Sequence, residues 1–320
     1  MENITLGRTG INVSRISLGT WSFGGANVSS NNQPVGWAGQ SEEDSKLALQ
    51  KAHEVGISHW DTADVYGNGV SEEIIGSMWQ KLSRENIFLA TKVGWDMGTY
   101  NHWYNPNQMK FNMERSLKKL KVDCVDLMYL HHCNFGKNDE YFDDALNIIK
   151  KFQDEGNTRF IGLSDWSSKK IMNYIDRVDP DVVQPYRNVM DDTYEASGLK
   201  KYVEANNIGV CFFSPIKHGL LTGKYKTPGT FEKGDFRSNV KDFTNQELIE
   251  KMQINKDLLK EHFKDHPNAV MHGLVDSLLT DAPTGCCLLG QRNVPQVEVA
   301  SSLGEPLSQT DSNWVKSLYQ

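Results

Sequence analysis

The stretch ISHWDTADVYG (residues 57–67) decides the fold. A short apolar run ends on a charged residue, Asp61, and passes into a turn closed by Gly67. A helical pattern, Ser71–Gln80, follows. This is the form of a strand feeding a helix, and it recurs along the chain. Working outward, strands are expected at Ile87–Lys92, Val125–His131, Arg159–Ser164, Asp181–Gln184, Ile208–Phe213 and Gly285–Leu289, with a weaker first one at Ser14–Gly19. Helices are expected between them at Asp44–Val55, Lys110–Leu120, Tyr141–Glu155, Ser167–Arg177, Glu195–Asn206 and Asn245–Phe263. Alternation of this kind implies a parallel sheet, and eight strands imply closure into an α/β (β/α)8 TIM barrel. Nothing resembling a linker divides residues 1–320, so a single domain is expected, with its active site at the C-terminal face of the strands.

Composition narrows the class of function. Of the 320 residues, 38% are apolar and 23% charged, as in an ordinary globular protein. A net charge of −7 argues against nucleic acid as a partner. MENITLGRTG lacks the apolar core of a signal peptide, and no apolar run is long enough to span a membrane. The five cysteines (124, 133, 211, 286 and 287) form no CxxC pair. No disulfide framework is expected, and a reducing cytoplasm is the expected compartment.

The polar residues that close the strands carry the chemistry. Asp61, Lys92, His131, Ser164 with Asp165, Gln184 and the Phe213-Ser214 pair all fall on the carboxyl rim of the expected barrel. A free phenol has a pKa near 10 and is a poor acid at neutral pH, but a neighbouring ammonium favours its ionised form. Lys92 therefore pairs with Tyr66, Asp61 holds Lys92, and His131 orients a carbonyl oxygen. Tyr66 is then the general acid that protonates that oxygen as hydride reaches carbon. No metal is needed. His131 and His132 are adjacent in a strand and are expected to point to opposite faces, which argues against a metal pair. The long loops at 22–41, 94–106 and 214–244 are expected to serve function. Their aromatic residues, Trp21, Trp95 and Trp103 above all, are candidates for a substrate wall.

DTADVYG, ATKVG, YLHH, GLSDW, the FFSP…GLLTGKY run and LLGQRNVPQVE, in that order, resemble the aldo-keto reductase family. The resemblance spans nearly the whole chain and leans toward the bacterial sugar-handling and potassium-channel-β-like branches. It implies reduction of an aldehyde or ketone, sugars included, or the reverse reaction, with NADP(H) lying extended across the barrel rim. Asp61, Tyr66, Lys92 and His131 match the family's tetrad. Thr20 and Trp21 match residues beside the nicotinamide. Ser164, Asp165 and Gln184 match its carboxamide contacts, and Phe213 its stacking partner. Ser214, Pro215, Ile216, Lys217 and His218 follow the pyrophosphate segment, with Lys224 and Arg237 nearby. Gly290, Arg292 and Gln296 match the pocket for the adenosine 2′-phosphate, which suits the planar arginine fork.

Three departures qualify that cofactor assignment. Asp165 stands where the family carries Asn, Val299 and Ala300 stand where it carries Glu-Asn, and Lys217-His218 replace its usual pair. They keep open an NAD-linked sugar dehydrogenase, and the cofactor site shared with potassium-channel β subunits keeps open a regulatory subunit that holds NADPH mainly as a sensor. Whether the chain acts as a monomer or a homo-oligomer is not legible at this level.

Overall fold

A computed structural model describes residues 2–28, 33–96 and 98–320. Parts of the expected loops at 22–41 and 94–106 therefore lie outside the described residues. A short antiparallel hairpin, β1 (Asn3–Thr5) and β2 (Asn12–Ser14), precedes the barrel. Eight parallel strands follow: β3 (Ile16–Gly19), β4 (His59–Asp61), β5 (Phe88–Val93), β6 (Val125–Leu130), β7 (Thr158–Asp165), β8 (Val182–Pro185), β9 (Gly209–Phe212) and β10 (Gly285–Gly290). They close in sequence order, β10 pairing with both β9 and β3. The expected first strand is split. Residues 12–14 belong to the hairpin and only Ile16–Gly19 enters the barrel.

Alternation along each strand explains why the rim is polar. In β5, Leu89 and Val93 pack outward against the helices, while Phe88 and Ala90 face the interior. Lys92, two residues further on, continues the inward row at the top. The same period places Asp61 above His59 on β4 and turns Leu127 and Tyr129 of β6 inward, with His131 following directly after that strand's end. Gly162 leaves the space that the Tyr129 ring fills, since a Cβ there would come within 2.2 Å of Tyr129 Cδ1. Leu6 and Val13 of the hairpin segment close the interior from below.

The outer helices are α1 (Glu42–Glu54), α2 (Val70–Gly76), α3 (Pro106–Leu120), α4 (Phe142–Asp154), α5 (Ser168–Val178), α6 (Thr193–Ala196), α7 (Leu199–Ala205), α8 (Gln246–His262), α9 (Ala269–Leu279), α10 (Val294–Ser301) and α11 (Gln309–Tyr319). Ser41 caps α1, its hydroxyl accepting the Asp44 N–H at 3.0 Å. The helix expected over Glu195–Asn206 is broken in two, because Gly198 adopts φ 84° and starts α7 afresh. Helices α9 to α11 had no counterpart among the expected elements. No described helix is long and apolar enough to cross a membrane.

Candidate active site

The tetrad assembles at the top of the barrel. The Lys92 ammonium forms an ion pair with Asp61 and donates to the Thr62 carbonyl at 2.8 Å and to the Tyr66 hydroxyl at 3.2 Å. All three of its protons are thereby used. The second oxygen of Asp61 accepts from Gln184 Nε2 at 2.8 Å. Lys92 and Asp61 are each 1% exposed, so this charge pair is removed from water. Burial works against the lysine charge, but Asp61 and Tyr66 outweigh it and the Lys92 pKa lies above the ordinary lysine value. Burial also raises the Tyr66 pKa, and Lys92 only partly offsets it. The expectation that Lys92 would depress Tyr66 is therefore corrected: burial wins, and Tyr66 is a neutral phenol at neutral pH.

His131 is buried and held well below the usual histidine pKa by burial, by His132 and by Lys92. Its Nδ1 has no hydrogen-bond partner among the described residues. The expectation for His132 fails. Strand β6 ends at Leu130, so alternation no longer applies to the two histidines. Their rings stack at 4.8 Å and 5° between planes, and Trp95 stands perpendicular to both.

A cavity of about 370 Å³ opens over these groups. Thr20, Trp21, Trp95, Ser164, Asp165, Gln184, Phe213, Ser214, Pro215, Ile216, His218, Lys224, Arg237, Gly290, Arg292 and Gln296 all line it, together with Asp61, Tyr66 and His131. Three expected site residues do not, and the first, Lys92, lies buried beneath Tyr66 and Asp61. Lys217 turns away into an ion pair with Asp242 at 2.5 Å, because its backbone is left-handed at φ 46°. Trp103 donates its indole N–H to the Asn134 carbonyl and lies outside the lining. Both carboxylate oxygens of Asp165 accept backbone N–H groups at 2.8 Å, from Cys133 and from Ser167. An acceptor-only side chain suits that position, which accounts for Asp in place of Asn.

Sequence reasoning missed Trp166, His132 and Thr222 as lining residues. Trp166 packs edge-on to Phe213 at 4.8 Å. Its place directly after Asp165 in GLSDW was the available signal. The cavity is roofed by two loops that pair with each other. Gly36 N–H donates to the Gly234 carbonyl at 3.1 Å, Phe236 N–H to the Gly36 carbonyl at 2.8 Å, and Ala38 N–H to Asp235 Oδ2 at 3.1 Å. Asp235 also grips Arg237 through two hydrogen bonds, at 2.9 and 2.6 Å.

One end of the groove is cationic. Arg292 bonds only neutral acceptors, Gln40 and the Ala38 carbonyl, and Lys224 makes no ion pair among the described residues. Burial and the nearby Arg237 push the Arg292 pKa down. Cations without counter-charge beside an aromatic pocket fit a phosphorylated, planar ligand.

The sequence model of the Aldo/keto reductase family matches residues 15–318. The chain belongs to this family. The aldo-keto reductase YhdN of Bacillus subtilis is 29% identical over 324 residues, covering 100% of this chain and 94% of that one. The NADP(+)-linked aldo-keto reductase yakc of Schizosaccharomyces pombe is 30% identical over 221 residues, 67% of this chain and 64% of its own length. Among solved structures, a glycerol dehydrogenase of Gluconobacter oxydans superposes with a TM-score of 0.81 at 27% identity, covering 99% of this chain and 94% of that one. This aldo/keto reductase is accordingly an NAD(P)H-dependent oxidoreductase acting on carbonyl and hydroxyl groups of small molecules.

Proposed function

We propose that this aldo/keto reductase reduces a small polar aldehyde or ketone of the polyol or sugar class with NADPH, Tyr66 supplying the proton, and that it also runs the reverse oxidation. The observation that carries the reading is the buried Lys92 ammonium bonded to both Asp61 and Tyr66, which themselves line an aromatic pocket. NADPH, when bound, supplies the hydride. Phe213, in the cavity lining, would hold the nicotinamide ring. Arg292, Gln296, Lys224 and Arg237 line the cationic end and would hold the phosphates.

The chain's own residues manage the proton. The substrate oxygen sits between Tyr66 Oη and the neutral His131 ring, which donates an N–H to it. As hydride reaches the carbonyl carbon, negative charge develops on that oxygen and the Tyr66 proton neutralises it, giving the alcohol. The Lys92 ammonium stabilises the phenolate left behind, and Asp61 keeps that ammonium in place. Trp21 and Trp95 exclude water and present aromatic faces to the C–H face of a polyol. Trp21 lies nearly parallel to Tyr66, with ring centroids 6.0 Å apart.

Turnover of an aldehyde and ketone panel by Tyr66→Phe tests the assignment. A fall in kcat of roughly 10²–10⁴-fold with unchanged NADPH quenching of tryptophan fluorescence is expected. Equal turnover by the two proteins would remove Tyr66 from the mechanism. A second reading, NADH-linked dehydrogenation, is favoured by the apolar Val299 and Ala300 beside Arg292 in the lining. Tighter quenching by NADH than by NADPH would select it.

A further inference from the structure

Below the catalytic rim, four neighbouring strands bring polar side chains together inside the barrel. These are Ser17 of β3, His59 of β4, Cys211 of β9 and Cys286 of β10. The strands are consecutive around the barrel, and Cys286 is the direct register partner of Cys211. His59, Cys211 and Cys286 each place one potential ligand atom within 4.8 Å of the others, and all three are fully buried. Cys286 Sγ is 3.4 Å from His59 Nδ1. Ser17 Oγ is 2.8 Å from that nitrogen and 3.9 Å from Cys211 Sγ. His59 Nε2 has no hydrogen-bond partner among the described residues, and the polar contacts of this ring run through Nδ1, on the side of the thiols. Barrel interiors are ordinarily filled by branched aliphatic side chains, and the proton-transfer machinery uses none of these four residues.

We propose that His59, Cys211 and Cys286 form a binding site for a divalent cation of the zinc class, with the Ser17 hydroxyl at the fourth corner. In a tetrahedral zinc site the metal lies about 2.3 Å from sulfur and about 2.0–2.1 Å from nitrogen, so ligand atoms stand roughly 3.5–3.8 Å apart. The Cys286–His59 separation of 3.4 Å already matches. The widest separation, 4.8 Å at most, closes with a shift of about 1 Å. Charge selects the valence. Two thiolates and a neutral imidazole around a divalent ion leave no net charge, which a dry interior tolerates. A monovalent ion such as Cu⁺ would leave an uncompensated negative charge there. Binding breaks two S–H bonds, forms two metal–sulfur bonds and releases two protons to solvent, with no change in oxidation state. Because the cluster has no exposed surface, loading accompanies folding.

The full-length chain is unfolded with reductant and chelator, then refolded with Zn²⁺ or Co²⁺ and freed of unbound metal. Elemental analysis is expected to find about one equivalent of metal per chain. The cobalt form is expected to show thiolate-to-metal charge-transfer absorption. Cys211→Ser and Cys286→Ser lose both signals. Cys287→Ser retains them, because Cys287 faces away from the interior toward the Val275 carbonyl of α9. Correctly refolded wild type with far less than one equivalent overturns the proposal, whatever the variants do. So does uptake of Cu⁺ without Zn²⁺, or a Cys286→Ser protein that keeps its metal.

Discussion

Tyr66 shows how two opposing influences settle one residue's protonation. Burial raises its pKa and Lys92 lowers it, and burial is the larger. The phenol is the proton-donating form, so raising its pKa moves the loss of the donor to higher pH. Carbonyl reduction is therefore expected to hold through neutral pH and to fall only above the ordinary phenol range of about 10. The reverse oxidation needs the phenolate and rises over the same interval. His131 is held neutral by burial, His132 and Lys92, so no inflection near the ordinary histidine value of about 6.5 is expected. Initial rates against pH check both statements. An inflection near 6.5 that disappears in His131→Gln would show that His131 titrates as an ordinary histidine. The identities of Asp61, Tyr66, Lys92 and His131 were legible in the sequence because each closes or follows a strand. The balance of their pKa values was not, because it depends on exclusion of water.

At the scale of elements, strand alternation told which residues face inward for as long as the strand lasted. It stopped one residue too early for His131 and His132, whose rings stack because β6 ends at Leu130. Two glycines from separate segments fix the turn that carries Tyr66. A Cβ on Gly24 would come within 2.4 Å of the Gly67 nitrogen and 2.6 Å of the Tyr66 carbonyl carbon. Gly67 itself sits at φ 61°. Gly24→Ala must therefore push the turn outward and move Tyr66 away from Lys92. A loss of about 1–3 kcal/mol in stability is expected from the overpacking. A displacement near 1 Å is expected to cost roughly 10²-fold in kcat. Urea unfolding and steady-state kinetics measure the two effects, and unchanged kcat would show that the turn does not depend on this contact.

At the scale of the whole molecule, the loops that follow β3 and β9, the two strands flanking β10, join at the cavity. Asp235, fully buried, ties them by accepting the Ala38 N–H and holding Arg237. Burial works against its charge, yet Arg237 and the backbone N–H groups of Arg237 and Ala38 outweigh it and keep its pKa below the ordinary carboxylate value. Asp235→Ala removes charge-assisted bonds worth about 1.5–3 kcal/mol. Nucleotide affinity is expected to fall roughly 10- to 150-fold, with faster release. Fluorescence titration and stopped-flow displacement read both, and unchanged affinity would mean the roof contributes nothing to binding.

The repeating strand–helix period, the parallel barrel it requires and the rim position of the tetrad were determined by the sequence by itself. Each is local: an apolar run, its alternation and the polar residue that ends it lie within a few positions of one another. The tertiary structure alone decided that Lys217 turns to Asp242, that the two rim loops roof the cavity, and that His59, Cys211 and Cys286 meet inside the barrel. These depend on which strands become neighbours when the sheet closes and on where the backbone turns left-handed. No spacing along the chain encodes a contact between residues 59 and 286, because barrel closure, which sets β10 beside β3, and not sequence separation, brings them together.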